Sequence, residues 1–454
     1  MINQKTIDLA ERSIPRLMLH NFIPAFIGVF LNALYNIVDR IFIGQGVGAH
    51  ALSGVSVTFP IMLIVIGFGM LIGIGAGVLV SINLGKRDVK QAEQVLGTSF
   101  LLMLLVAGFI TILGYSIKVP LLKMFGATAE TVEYANDYLD IILAGTVFQV
   151  VGFSLNNIIR SEGNPRIAMV SMIISAGTNI VLNPVFIFGF GLGVKGSAWA
   201  TVISMILLSI WVVWHFRSSK SVVKLKAANI RLDYKIMLGI IAIGLAPFSM
   251  QIANSVVQGM LNTRLIAFGG DLAVGAMGIV NSVQTLIVMA IAALNMAAQP
   301  IISFNYGAQS FVRVKDSLRI SIVAATVIAV FAFACVEIFP GNIVQLFNSA
   351  DAGLLRYGTE GLRLALMALP IVGFQVVAGN FFQSIGKANI AIVQTLLRQV
   401  IILIPLLFVL PHFFGLPGIW LSMPASDFLS AIVTAFLLVQ QWRRLNRLIS
   451  LHSN

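Results

Sequence analysis

Residues 76–85, AGVLVSINLG, and residues 298–307, AQPIISFNYG, occupy equivalent places in two halves of one chain. A shift of 222 residues places identical residue types on one another at seven positions, namely Ala51/Ala273, Ala76/Ala298, Ser81/Ser303, Asn83/Asn305, Gly85/Gly307, Ser99/Ser321 and Phe125/Phe347. A shift of 223 residues does the same for Pro24/Pro247, Ser161/Ser384 and Gly163/Gly386. Solenoid repeats are only about 20–50 residues long, so a repeat of this length in an apolar chain predicts two membrane bundles fused end to end.

The composition indicates that lipid surrounds most of this chain. Of its 454 residues, 58% are hydrophobic and 10% are charged, whereas soluble domains carry about 25% charged residues. The mean hydropathy is +0.96. The single cysteine, Cys335, excludes an intramolecular disulfide and a cysteine metal cluster. The net charge of +12 comes from short basic runs between apolar stretches, which is a topology signal, so we expect no nucleic-acid partner.

Twelve apolar stretches are long enough to cross a bilayer, which takes about 20 residues. We call them spans 1 to 12, and they cover residues 17–43, 52–80, 93–115, 132–158, 167–188, 194–216, 236–261, 274–305, 316–338, 355–384, 390–412 and 416–441. They must be helices because hydrocarbon offers no other hydrogen-bond partner to the backbone. The sequence therefore predicts an all-α polytopic membrane protein.

The basic residues predict the orientation of the spans. The N-terminus, the loops after even-numbered spans and the C-terminus hold 21 of the 29 Lys and Arg residues, so both termini are expected in the cytoplasm. Residues 1–16 are polar, and we expect no cleavable signal peptide. Six spans per half make the halves run the same way, about a pseudo-twofold axis along the membrane normal. We predict lobes at residues 1–216 and 236–454, with a cytoplasmic linker at 217–235.

Polar side chains inside the spans of the first lobe indicate an ion site. Asp39 lies about four residues from the outer end of span 1, with Tyr35 one turn away. Asn179 and Asn183 share a face of span 5, and Thr201 lies at a similar depth in span 6. An ionisable group in a span is a functional candidate, and one carboxylate with amide and hydroxyl oxygens suits a proton or Na⁺.

Structural alternatives exist for the same residues. Asp39 can instead pair with Arg40 at the membrane interface, and the asparagines can simply join helices by hydrogen bonds. An ATP-driven pump and an intramembrane enzyme are not supported, because the chain lacks GxxxxGK[ST] and HExxH and its five histidines are scattered.

The second lobe offers a possible ion pair and a possible substrate surface. Arg398 in span 11 and Asp427 in span 12 lie near mid-depth, which predicts a buried pair that serves either as a structural clamp or in transport. The candidate substrate-cavity residues are Gln251, Asn254, Gln284, Met289, Gln375 and Asp427. Methionine suits adaptable apolar surfaces.

Prolines occupy equivalent places in spans 1 and 7. Pro24 and Pro247 each remove a backbone hydrogen bond and kink a helix. The kink is either static or the point at which the helix bends during function.

Together these features resemble the MATE (multidrug and toxic compound extrusion) transporters over essentially the whole chain. The matching segments are NALYNIVDRIFIG in span 1, TNIVLNPVFIFGFGLGVKGSAWAT across spans 5 and 6, NLGKRD and NYGAQS after spans 2 and 8, and IRSEGNPR and QSIGKAN after spans 4 and 10. The resemblance implies a cation site at Asp39, Asn179, Asn183 and Thr201, with Tyr35 beside it. The family commonly has aspartate where this chain has Asn183. In the family, a bend of the first helix at the proline that corresponds to Pro24 is linked to protonation of the aspartate.

The resemblance implies a multidrug antiporter coupled to H⁺ or Na⁺, which exports amphipathic, often cationic compounds by alternating access. The expected setting is a bacterial inner membrane, with drugs and lipids as partners, no cofactor and a monomeric state. A lipid-linked precursor flippase of the same superfamily is the nearest alternative. A passive channel and an intramembrane enzyme are alternatives from other classes.

Overall fold

The computed structural model describes residues 4–347 and 352–452, and within them all regular secondary structure is helical. A short helix, Gln4–Glu11, precedes the first span. The spans seen in the structure are Ile14–Gly46, His50–Gly85, Val89–Met124, Val132–Ser161, Pro165–Gly189, Gly193–Arg217, Tyr234–Gly270, Leu272–Gly307, Phe311–Ile338, the bent pair Ala352–Ala365 with Leu369–Ser384, Ala388–Phe414 and Leu416–Leu451. The helices match all twelve predicted spans, and the prediction of an all-α polytopic protein is confirmed.

Span 10 departs from the single straight helix that its hydropathy predicts. Its two segments, Ala352–Ala365 and Leu369–Ser384, meet at an angle of 52°. Pro370 lies in the first turn of the second segment. Proline lacks a donor N–H and is well tolerated only in the first turn of a helix, so a new helix starts here after the turn at residues 366–368.

The described chain divides into two compact units. The first comprises residues up to 13 and 19–248, and the second comprises residues 14–18 and those from 249 onward. One boundary falls inside span 7, directly after Phe248, and the lobe bounds at 1–216 and 236–454 with the linker at 217–235 stay a prediction. The other boundary falls inside span 1.

Backbone geometry repeats between the two halves of the sequence. Four pairs of connecting residues have positive φ at equivalent positions, namely Gly48/Gly270, Arg87/Gln309, Gly163/Gly386 and Gly193/Gly415. Arg87 and Gln309 are the notable pair, because residues with a Cβ seldom adopt this conformation. The turns after spans 2 and 8 therefore have the same shape although their sequences, NLGKRD and NYGAQS, differ.

Hydrogen bonds repeat as well. Ser81 donates to the carbonyl of Ser161 in the first unit, and Ser303 donates to the carbonyl of Ser384 in the second. These four serines are the ones that the sequence shifts of 222 and 223 residues bring together. The internal repeat is thus a repeat of structure and not only of composition.

The connection after span 6 is fixed to the first unit by Glu162, whose side chain is fully buried. Its carboxylate accepts hydrogen bonds from the hydroxyl of Ser221 (2.7 Å) and from the backbone N–H groups of Val222 (3.0 Å) and Val223 (3.2 Å). His215 Nε2 lies 2.6 Å from the other carboxylate oxygen. The first part of the predicted linker is therefore an ordered part of the first unit.

Candidate functional site

The side chain of Asp39 is held by two hydrogen-bond donors from other spans. Asn183 Nδ2 on span 5 donates to Asp39 Oδ1 at 2.6 Å, and Ser197 Oγ on span 6 donates to the same oxygen at 2.5 Å. Asp39 is only 8% exposed. A buried carboxylate with hydroxyl and amide partners is a group whose charge state is sensitive to its surroundings.

The hydrogen bonds continue from Asp39 into the lobe as a chain. Asn183 also donates to Asn179 Oδ1 at 3.1 Å, and Asn179 donates to Thr201 Oγ1 at 3.1 Å. All these side chains are buried. Four of the five residues that the sequence predicts for the site, Asp39, Asn179, Asn183 and Thr201, are thus in direct contact. This chain of hydrogen bonds joins Asp39 of span 1 to spans 5 and 6.

Two tyrosines complete the surroundings of the carboxylate. Tyr35, the fifth predicted residue, is half-buried and lies one helical turn before Asp39 on span 1. Tyr138 on span 4 is buried and faces both Asp39 and Thr201. Apolar side chains of the same lobe, among them Ile43 and Val202, form a core cluster that includes Tyr138. Water therefore has little access to the network from that side.

The alternative in which Asp39 pairs with Arg40 does not match the geometry. Arg40 is exposed, and its guanidinium lies 5.1 Å from the centre of the Phe59 ring. Among the described residues no ion pair joins Arg40 to Asp39. The carboxylate is directed into the lobe instead.

The backbone around the site explains how spans 5 and 6 approach one another. Span 5 ends in a π-helical turn, Val185–Gly189, and π turns in helices frequently mark functional sites. Gly196 lies against the backbone of Phe186, so a Cβ there would be about 3.0 Å from it. The close contact places Ser197, the next residue, within reach of Asp39.

The oxygen atoms around Asp39 determine how the site could hold a cation. Asn183 Oδ1 is buried and has no hydrogen-bond partner, so it is an oxygen available to a cation. Its amide nitrogen, however, is the group that faces Asp39. Within the described residues no cluster of three or more His, Cys, Asp or Glu could hold a metal ion. Hard cations prefer several oxygen ligands, whereas a proton needs only the carboxylate. The arrangement therefore fits Na⁺ only if the Asn183 amide turns over.

In the second unit the predicted ion pair is formed. Arg398 Nε donates to Asp427 Oδ1 at 2.6 Å. Gln375 Nε2 donates to the carbonyl of Asp427 at 2.8 Å and to Ser430 Oγ at 2.6 Å. Gln394 joins the cluster by donating to the carbonyl of Gln375 at 3.0 Å. Gln375 and Asp427, two of the predicted cavity residues, therefore belong to one buried cluster.

The other predicted cavity residues are not part of that cluster. Asn254 Oδ1 accepts a hydrogen bond from Gln399 at 2.6 Å. Gln251, Gln284 and Met289 are half-buried, and within the described chain no hydrogen bond or ion pair joins them to Asp427. A single continuous substrate surface over these positions stays a prediction.

Sequence reasoning missed Ser197 and Tyr138. Ser197 precedes Thr201 by one helical turn and so shares its face, which is a signal that the sequence contained. Tyr138 gave no such signal, because span 4 offers several polar residues and nothing in the sequence says which of them faces span 1.

Comparison with known proteins decides the family. The MatE family model matches residues 24–185 and again residues 247–409, once in each half of the repeat. The chain belongs to the MatE family. It is therefore a multi-span membrane transporter of a multidrug efflux family and not an enzyme, as the sequence predicted. The predicted resemblance to MATE transporters is confirmed.

Relatives of the family are similar over nearly their whole length. A multidrug export protein, MepA of Staphylococcus haemolyticus (strain JCSC1435), is 28% identical over 445 residues, which is 98% of either chain. The solved MATE multidrug transporter DinF-BH is 37% identical with a TM-score of 0.89, over 95% of this chain and 96% of that one. A MATE protein solved in the bent conformation has a TM-score of 0.92 at 25% identity, covering 99% of both chains. These neighbours support the twelve-helix, two-lobe fold.

Proposed function

We propose that this transporter exports amphipathic, often cationic organic compounds in exchange for a proton that binds at Asp39. The observation that carries the proposal is the convergence of Asn183 and Ser197 on one oxygen of a buried carboxylate. The names of the relatives, a multidrug export protein and a MATE multidrug transporter, support the class of substrate.

Proton binding at Asp39 would rearrange its contacts. In the structure Ser197 and Asn183 both donate to Oδ1 of Asp39. A protonated carboxyl group becomes a donor itself, so it would need a new acceptor, and the buried Asn183 Oδ1 lacks a partner. Turning the Asn183 amide would satisfy both groups and would break its bond to Asn179. Protonation of Asp39 on span 1 would in this way change the hydrogen bonds that link spans 1, 5 and 6.

Span 1 contains a point at which it could respond. Pro24 lies inside the helix Ile14–Gly46 and leaves the carbonyl one turn earlier, that of His20, without its usual N–H partner. The same loss occurs at Pro247 in span 7. A helix with a missing hydrogen bond bends at lower cost than an intact one. One MATE relative has been solved in a bent conformation, and for this chain we propose that the bend occurs at Pro24.

Transport against a gradient requires that ion and drug favour different states. A bound proton shifts the population of states only by its difference in affinity between them.

We place both termini in the cytoplasm of a bacterial inner membrane, since 21 of the 29 basic residues fall on that side. We expect a monomer, with no cofactor.

The test uses purified protein in liposomes, with a pH gradient and a Na⁺ gradient imposed separately. Asp39→Asn should abolish gradient-driven drug transport, because the amide neither titrates nor carries charge. Glu133→Gln, an exposed carboxylate near the start of span 4, is the matched control and should transport as the wild type does. Binding of drug by both variants shows that they are folded.

Three results would contradict the proposal. If the Asp39→Asn variant transported drug at the wild-type rate, Asp39 would have a structural role and not a coupling role. Transport driven by Na⁺ alone would replace the proton. Equilibration without accumulation would indicate the passive channel.

A further inference from the structure

A pocket of about 420 Å³ lies in the second unit, between the start of span 9 and the end of span 12. It is lined by Val312, Lys315 and Asp316 of span 9 and by Asn446, Ile449 and Ser450 of span 12. This volume is in the range of small-molecule sites, which is about 300–1,000 Å³. The pocket contains none of the residues that hold Asp39 or Asp427.

The ammonium group of Lys315 is held in place at this pocket. Its Nζ donates to Asn446 Oδ1 at 2.8 Å and lies 4.6 Å from the centre of the Trp442 ring. A lysine ammonium has three donors, so the bond to Asn446 leaves N–H groups for a ligand. A cation fixed by a hydrogen bond and an aromatic face loses less conformational entropy when it binds an anion.

Asp316, the next residue, supplies a carboxylate to the same pocket. It is exposed, and within the described residues it forms no ion pair with a lysine or arginine. The lining thus contains one cation and one anion beside one another, together with the aliphatic side chains of Val312 and Ile449. An occupant that complements it carries both charges.

The depth of the pocket corresponds to the lipid headgroups. Lys315 precedes the end of span 9, Ile338, by 23 residues, which is about 35 Å along a helix. The hydrocarbon core is about 30 Å thick. Lys315 also immediately precedes the apolar stretch 316–338, so it lies at the edge of the core. Trp442 is at the same level, where aromatic residues commonly meet the membrane interface.

We propose that this pocket binds the headgroup of a zwitterionic phospholipid with a primary ammonium group, such as phosphatidylethanolamine. The phosphate accepts from Lys315, and the ammonium donates to Asp316. Phosphatidylcholine offers the same phosphate, but its quaternary ammonium has no N–H to donate. Phosphatidylglycerol offers the phosphate without a cation. The proposal does not involve Asp39 and is independent of how transport is coupled.

Native mass spectrometry of the purified full chain, titrated with each of the three lipids, tests this. The wild type should bind phosphatidylethanolamine about two- to fivefold more tightly than phosphatidylcholine, the range of one exposed ion pair. Asp316→Asn should remove that preference, and Lys315→Gln should weaken binding of all three lipids. Lys90→Gln, at the corresponding start of span 3, removes an exposed lysine and should change nothing. Monodisperse elution of each variant verifies folding.

A photoreactive phosphatidylethanolamine identifies the place of binding. Cross-links should map to residues 311–320 and 441–451 and should decrease in Lys315→Gln. The proposal is overturned by equal binding of the three lipids to the wild type, by tighter binding of phosphatidylglycerol than of phosphatidylethanolamine, or by cross-links elsewhere. It is also overturned if the Asp316→Asn variant keeps the wild-type preference.

Discussion

Removing either partner of the Arg398–Asp427 pair should destabilise the protein more than removing both. The Nε–Oδ1 distance is 2.6 Å, and the two side chains are 23% and 9% exposed, respectively. Arg398 lies in the π-helical turn Leu397–Ile402, and its carbonyl accepts a hydrogen bond from Ser426 at 2.6 Å. Among the described residues, Arg398 is the sole donor to the carboxylate of Asp427. The pair therefore tests how a charge is tolerated inside this lobe.

The two single changes should differ in size because the partners differ in burial. Arg398→Met leaves a buried carboxylate without a donor, at a cost of about 3–5 kcal/mol. Asp427→Leu leaves a guanidinium that water can partly reach, so the loss is about 1.5–3 kcal/mol, the value of a hydrogen bond to a charged group. The double variant removes both charges and should lose about 1 kcal/mol, since a buried pair contributes little net stability. The resulting interaction energy is at least about 3 kcal/mol.

The measurement is the unfolding free energy in mixed detergent micelles for the four proteins of this double-mutant cycle. Arg443→Met combined with Asp427→Leu is the control cycle. Arg443 is exposed and lies 16 residues further along span 12, about 24 Å away, so these losses should add within about 0.5 kcal/mol. Additive losses in the Arg398 cycle as well would mean that the two residues do not interact. Unchanged stability with lost drug transport would assign Asp427 to the transport pathway and not to a clamp.

Three further outcomes follow from the first lobe. Asn183→Asp should raise the apparent Na⁺ affinity by placing a second carboxylate beside Asp39, and strict Na⁺ dependence of the wild type would contradict this. Ser197→Ala removes one of the two hydrogen bonds to Asp39 Oδ1, so the pH profile of drug transport should shift, and an unchanged pH profile would exclude Ser197 from the site. In a cysteine-free background, cysteine at Lys195 should react with an impermeant reagent from outside and cysteine at Lys226 from inside, and the reverse pattern would invert the proposed topology.

The fold was largely predictable because hydrocarbon imposes one simple condition on the chain. Each span needs enough apolar residues, and that requirement can be read locally. The exceptions arise where the chain leaves the core. Span 12 is predicted to end at residue 441 but remains helical to His452, because a helix does not end where hydrophobicity does. The bend in span 10 was missed although Pro370 marks it in the sequence.

The candidate site was predictable only as far as helical periodicity extends. Asn179 and Asn183 share a face, and this gave one wall of the site from the sequence alone. Contacts between distant spans were not predictable in that way. Nothing in the sequence distinguishes Tyr138 from other polar residues of span 4, and Asn254 finds its partner, Gln399, 145 residues away. Side-chain pairing across helices depends on rotation about each helix axis, and apolar composition does not determine that rotation.

On the proposed mechanism, a single coupling carboxylate would limit the energy of each transport cycle. Asp427 is neutralised by Arg398, so Asp39 alone would exchange a single proton. Exchange of one proton for one monovalent cation moves no net charge, and the membrane potential then contributes nothing. Each pH unit across the membrane yields about 1.4 kcal/mol, a tenfold drug gradient. Export of an uncharged compound would gain a further 2.3 kcal/mol or so per 100 mV of membrane potential, which is about a fiftyfold larger gradient. With a single coupling carboxylate, the pH gradient alone would drive export of a monovalent cation. For an uncharged compound, the membrane potential would contribute as well.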